Sequence, residues 1–224
     1  MPEAPYVPVD RRPIASRKLR IFQRLSTSLA RAGVSPNAIS ALGMAAGVIA
    51  GAALAATARF PEHARVLFVA AAALVQLRLI ANLLDGMVAV ESGKASRLGE
   101  LWNEIPDRVS DAATLAGAGY ALGGDATLGW LAASVALFVA YVRATGKASG
   151  ASNQFCGPMA KQQRMMTITL AALLCAVLPA DLQPHLGPGA WGFPALALLL
   201  IVVLGAATAL RRLGRIAAEL EAAP

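Results

Sequence analysis

Six blocks of almost unbroken apolar residues, at roughly 38–58, 66–90, 106–123, 126–145, 163–180 and 191–210, dominate this chain of 224 residues. A helix needs about 20 residues to cross about 30 Å of hydrocarbon, and each block approaches that length. Their apolar residues come in long blocks and do not alternate. Hydrophobic residues make up 57% of the chain and charged residues 15%, with a mean hydropathy of +0.57. A soluble domain carries about 25% charge. A disordered chain, a disulfide scaffold and an ordinary soluble globule are all excluded. The expected fold is an all-α membrane protein, a six-transmembrane-helix bundle preceded by an N-terminal interfacial amphipathic helix. It forms one domain over 1–224, with an N-terminal segment 1–37, a bundle 38–210 and a tail 211–224. Abundant Ala and Gly favour close helix packing. The third block is the weakest, because it opens with Pro106, Asp107, Arg108 and Asp111.

The net charge is +7. In a chain this apolar, the basic excess reads as membrane topology, and no nucleic-acid partner is expected. Seven Lys and Arg precede the first block, and the loops after the second and fourth blocks and the tail add three, four and three. Only Arg59 and Arg65 fall on the other side, with Arg78 inside block two, a bias of 17 against 2. The positive-inside rule then puts both termini in the cytoplasm, at an inner membrane. Residues 20, 95, 150 and 218 should face the cytoplasm, and residues 125 and 185 should face away from it. Residues 14–32 mix Ile14, Leu19, Ile21, Phe22, Leu25 and Leu29 with basic side chains, the pattern of a helix lying on anionic lipid. Gly33 ends it, and Ser35-Pro36-Asn37 starts the first span. No block resembles a cleavable signal peptide. Cys156 and Cys175 fit no metal spacing and read as structural. His63 and His185 lie outside the blocks and support neither a triad nor a metal cage.

An ionisable side chain inside a spanning helix costs about 2.5–3.5 kcal/mol on insertion scales, so such residues mark function. They concentrate in block two (Gln76, Arg78, Asn82, Asp85) and at the start of block three (Asn103, Glu104, Asp107, Asp111). Arg78, Asn82, Asp85 and Ala89 fall within about 60° of one helix face. Asn103, Asp107 and Asp111 share a face as well. Two antiparallel helices joined by a short loop can turn these faces toward each other. Asp85, Asp107, Asp111 and the amide oxygens of Asn82 and Asn103 then form an oxygen-rich cluster suited to Mg²⁺ or Mn²⁺ and to phosphate substrates. Carboxylates so close repel unless a cation lies between them or one is protonated. The alternative is a set of buried ion pairs, Arg78 with Asp85 and Arg108 with Asp111. Gly86, Ala89, Gly93 and Gly99 leave room for a ligand along the same stretch.

The segment NLLDGMVAVESGKASRLGELWNEIPD, residues 82–107, resembles the signature D-x2-D-G-x2-A-R-x8-G-x3-D-x3-D of the CDP-alcohol phosphatidyltransferase family. Asp85, Gly86, Ala89, Gly99 and Asp107 match by type. SPNAIS at 35–40 resembles the stretch that precedes the family's first span. Asn82 and Asn103 stand where the family has its first and third aspartates, and Val90 stands where it has arginine. Asp107-Arg108-Val109-Ser110-Asp111 looks like the corresponding stretch of members that use inositol phosphate.

The resemblance implies transfer of a phosphatidyl group from a CDP-linked lipid, above all CDP-diacylglycerol, to a hydroxyl acceptor, with release of CMP. In the family the first three aspartates hold two divalent cations, and the resemblance places Mg²⁺ or Mn²⁺ at Asn82, Asp85, Asn103, Asp107 and Asp111. Asp107 corresponds to the general base, with Asp111 as runner-up. Gly86, Ala89 and Gly99 would let the cytidine approach the backbone. Arg78, Arg143, Lys161 and Arg164 are candidates for substrate phosphate or an anionic acceptor. Membrane lipids and a second copy of the chain, as a homodimer, are the expected partners. Two other readings remain. One is a catalytically degenerate member that binds lipid or a partner protein. The other is an intramembrane prenyltransferase, whose motif Asn103-Glu104-x2-Asp107-x3-Asp111 resembles; no second aspartate-rich motif follows in a later span.

Overall fold

The computed structural model describes residues 15–94, 96–187 and 189–222. Ile14, Ala95 and the first part of the segment 1–37 lie outside the described residues. The described chain is helical throughout, with one isolated bridge pairing Leu186 and Trp191. Its α-helices are α1 (Arg20–Arg31), α2 (Pro36–Arg59), α3 (Ala64–Glu91), α4 (Arg97–Gly119), α5 (Ala126–Ala148), α6 (Lys161–Val177) and α7 (Phe193–Glu221).

Local chemistry explains the boundaries. A 3₁₀ turn at Ala15–Lys18 precedes α1, and Leu19 between them is extended, so the basic segment is not one continuous helix. Gly33 closes α1 at φ 73°, where Val34 N–H donates to Leu29 O and Gly33 N–H to Ala30 O. This paired closure needs a left-handed residue, which glycine adopts without penalty. Gly93 ends α3 in the same way. Ser96 caps α4, its Oγ accepting from Gly99 N–H at 3.0 Å. The helix therefore starts well before the apolar block that predicts it, because its first turns are helical but polar. α7 runs on through the expected tail for 29 residues, about 43 Å at the helical rise.

Four helical runs are long and apolar enough to cross a membrane: α2, Pro61–Glu91, α5 and α7. Two of the six expected spans fall short of that measure for different reasons. α6 has only 17 residues, about 25 Å. α4 is long enough, but charged residues fill its first half.

The chain divides into two compact units, Met1–Ala46 with Leu77–Ser110, and Gly47–Gln76 with Asp111–Pro224. The division passes within α2, α3 and α4. In the first unit Ile39, Ala81, Leu84 and Val88 are buried, and Phe22, Leu29, Ala30 and Val34 pack on them. The apolar face of α1 is thus partly spent on α2 and α3. Leu19, Ile21 and Leu25 remain exposed. In the second unit α7 packs on α5 and α6. There α2 and α4 approach to backbone contact: a Cβ on Gly117 would collide with Gly51 O, and one on Gly51 with Ala113 O. Thr114 Oγ1 donates to Gly47 O at 3.1 Å beside this crossing. Small residues allow such an approach, and here only glycine fits.

Candidate active site

The first unit contains a cleft lined by Ser40, Gly43 and Met44 from α2, Arg78, Asn82 and Asp85 from α3, and Asn103, Pro106 and Asp107 from α4. The two polar helix faces do meet. Asp85 is 3% exposed, and its carboxylate accepts from Ser40 Oγ at 2.6 Å and from Gly86 N–H at 2.5 Å. A buried carboxylate needs such donors, because an ion without partners is costly to desolvate. Ser40 escapes a search for ionisable residues. Its only signal in the sequence is its place as the last residue of SPNAIS.

Asn82 Nδ2 donates to Asn103 Oδ1 at 2.7 Å. Arg78, 1% exposed, spreads its guanidinium over three acceptors. Nε donates to Ser110 Oγ at 2.8 Å, and Nη2 to Asp107 Oδ1 at 3.0 Å and Asp107 O at 3.2 Å. The ion pair Arg78–Asp107 joins α3 to α4 across the cleft. Arg108 binds Glu104 Oε2 at 3.1 Å, one turn back, and lies 3.8 Å from Asp107 Oδ2. Side-chain reach allows the Arg78 pair, because Asp107 faces Arg78 across the gap between the two helices. α4 continues through Pro106, which has no N–H to donate back to Trp102 O.

Gly86, Ala89 and Gly99 are not among the cleft-lining residues. A Cβ on Gly86 would meet open space, and one on Gly99 would meet Ser96 Oγ at 3.3 Å. Val90, at the family's arginine position, is 48% exposed.

The remaining candidates belong to the second unit. Asp111 has an arginine partner within this unit. It accepts from Arg164 Nη2 at 3.1 Å, and both side chains are 2% exposed. Arg164 Nη1 also donates to Met159 O at 3.1 Å. Lys161 opens α6. Arg143 stacks over Phe155 at 5.6 Å and reaches Asn153 Oδ1 at 3.5 Å. Residues 149–160, which lead into α6, are held by α7. Glu219 accepts from Ser152 N–H and Oγ at 2.7 and 2.8 Å and from Gln154 Nε2 at 3.0 Å. Arg212, expected as a tail charge, is buried and donates to Cys156 O at 3.0 Å and Val139 O at 3.1 Å.

Among the described residues, no group of three or more His, Cys, Asp or Glu gathers closely enough to hold a metal ion. The cleft supplies two carboxylates, Asp85 and Asp107, with amide oxygens beside them. That set fits a hard cation whose coordination is completed by substrate phosphates, since Mg²⁺ sites often use one or two carboxylates in this way.

Residues 33–213 match the family model described as CDP-alcohol phosphatidyltransferase. A phosphatidylinositol phosphate synthase of Streptomyces avermitilis is 30% identical over 162 residues, 68% of this chain and 62% of the relative. The alignment thus spans less than two thirds of that relative's length. Two crystal structures of the Mycobacterium tuberculosis phosphatidylinositol phosphate synthase share the fold. One, with CDP-DAG bound, has a TM-score of 0.68 at 22% identity and covers 88% of this chain and 94% of its own. The other, in complex with manganese and citrate, has a TM-score of 0.70 at 20% identity and covers 87% and 88%.

Proposed function

Because this chain belongs to the CDP-alcohol phosphatidyltransferase family, we propose that it transfers a phosphatidyl group from CDP-diacylglycerol to an alcohol acceptor and releases CMP, in phospholipid biosynthesis. The observation that carries this reading is the convergence of Asp85, Asn82, Asn103 and Asp107 on one cleft within the signature segment. The acceptor oxygen bonds to the phosphatidyl phosphorus as the phosphoanhydride bond breaks. CMP leaves with that electron pair, and the hydroxyl proton passes to the Asp107 carboxylate. Arg78 orients Asp107 through Oδ1 and leaves its other carboxylate oxygen toward Arg108. Ser40 holds Asp85 in place. Asp85, Asp107 and the two asparagines would hold a Mg²⁺ or Mn²⁺ ion; when bound, it neutralises charge building on the phosphorus and the leaving phosphate. Asp111 serves here as the counter-ion of Arg164.

Arg143 and Lys161 would meet an anionic acceptor at the membrane surface. Inositol phosphate is the first acceptor to try, because the relatives are phosphatidylinositol phosphate synthases; glycerol 3-phosphate and serine follow. In this reading α4 and α6 complete six passes, with shorter apolar lengths sheltered by neighbouring helices. Both termini and the cleft face the cytoplasm across the inner membrane, α1 lies along the lipid surface, and the chain works as a homodimer.

The test is CMP release from CDP-diacylglycerol by purified protein with Mg²⁺ or Mn²⁺ and a pool of acceptors. Asp85→Asn and Asp107→Asn should each abolish it, while circular dichroism shows the helices intact. Near-normal turnover in both variants would remove the assignment. The neutral Asn82–Asn103 bond favours one competing reading, a member that binds CDP-lipid without turnover. Saturable CDP-diacylglycerol binding with no CMP release from any acceptor would establish it.

A further inference from the structure

The geometry points to a cleft that takes one divalent cation, not two, and takes it only together with the diphosphate of the substrate; we propose this as a refinement that rests on the transferase reading above. The argument starts with Asn82 and Asn103. Nδ2 of one lies 2.7 Å from Oδ1 of the other. Two carboxylates at these positions would repel, and a cation between them would relieve the repulsion. The amide pair needs no such ion, because one side chain donates directly to the other. A hydrogen bond thus ties α3 to α4 without an ion between them.

The second observation is Arg78. Its guanidinium is 1% exposed, and Nη2 lies 3.0 Å from Asp107 Oδ1. One of the two cleft carboxylates therefore already faces a fixed positive charge. Two carboxylates and one guanidinium give the lining a formal charge of −1. One divalent ion makes the lining positive, which suits a diphosphate carrying two negative charges. A second ion would sit beside the first with about four times the repulsion of two unit charges. Among the described lining residues it would find no third carboxylate.

Two consequences separate this from a site built around two metals. The helix pair should keep its geometry without any metal. Metal affinity should also be low until the substrate brings its phosphate oxygens, with each ligand raising the affinity of the other by the same factor.

The experiment titrates Mn²⁺ into detergent-purified full-length protein, with and without CDP-diacylglycerol, by calorimetry and electron paramagnetic resonance. The expected result is one Mn²⁺ per chain, with the hyperfine spectrum of an isolated ion and affinity raised on the order of tenfold or more by CDP-diacylglycerol. Chelator should leave the melting temperature unchanged. Asn103→Asp, alone and with Asn82→Asp, should admit a second ion and produce the broadened spectrum of a spin-coupled pair. The native protein decides the matter even if those variants fail to fold. Two coupled Mn²⁺ per chain in the native protein, or one bound equally tightly without substrate, would overturn the proposal while CMP release left the transferase reading standing. No Mn²⁺ uptake with CDP-diacylglycerol present would also overturn it. If CMP release were absent too, the transferase reading would fall with it.

Discussion

Gly86 follows a buried carboxylate within a helix that glycine weakens. Its N–H bonds to Asp85 Oδ1 and its missing Cβ faces open space. Gly→Ala in a helix interior is worth up to about 1 kcal/mol of added stability. Gly86→Ala should therefore leave the melting temperature unchanged or raise it, yet weaken CDP-diacylglycerol binding at least several-fold by filling the approach to the backbone. Thermal denaturation and a binding isotherm on the same sample check both halves. A lower melting temperature would mean that the glycine serves the fold and not the ligand. Spacing alone places Arg78, Asn82 and Asp85 on one face, because 3.6-residue periodicity is a property of the chain. It does not say which acid an arginine meets. Arg78 selects Asp107, and Asp111 is claimed by Arg164, 53 positions away. Long side chains pair by distance in space, and sequence separation carries little of that.

Among the elements, α7 is long and apolar enough to cross a membrane and does more besides. Its last turns reach the segment that introduces α6, and Glu219 collects three hydrogen bonds there. Glu219→Gln weakens these bonds, since charge-assisted bonds are roughly twice as strong as neutral ones. We expect the Michaelis constant for the acceptor to rise several-fold with kcat nearly kept, and labelling of half-buried Cys156 by a thiol reagent to quicken. An unchanged Michaelis constant beside faster labelling would make the clasp structural only. The α2–α4 crossing calls for the opposite kind of variant. Gly117→Leu would drive a side chain into Gly51 O. Overpacking costs about 1–3 kcal/mol or more, so the melting temperature should fall by several degrees or the protein should fail to fold. A wild-type melting curve would show that the helices part there at little cost. Both features lie beyond a reading by apolar blocks. That reading sees a glycine among alanines and a glutamate in a tail.

For the whole molecule, the basic bias of 17 against 2 leads to a test of orientation. Single cysteines at positions 125 and 185 should react with an impermeant thiol reagent added to intact cells, and those at 20, 150 and 218 should react only after permeabilisation. External labelling at 150 would place the second unit's basic residues on the wrong side for a cytoplasmic acceptor. The sequence by itself determined the helical class, the approximate position of each long apolar helix, the signature segment and the family, because burial in lipid demands long apolar runs and chemistry demands fixed spacing within a helix. The tertiary structure alone decided what those residues touch. Ser40 reaches a carboxylate 45 positions away, two asparagines bond where two aspartates would repel, and Arg212 leaves the expected tail to satisfy buried carbonyls. Such pairings arise from helix packing, whose close approaches are set by single missing side chains that no periodicity reveals.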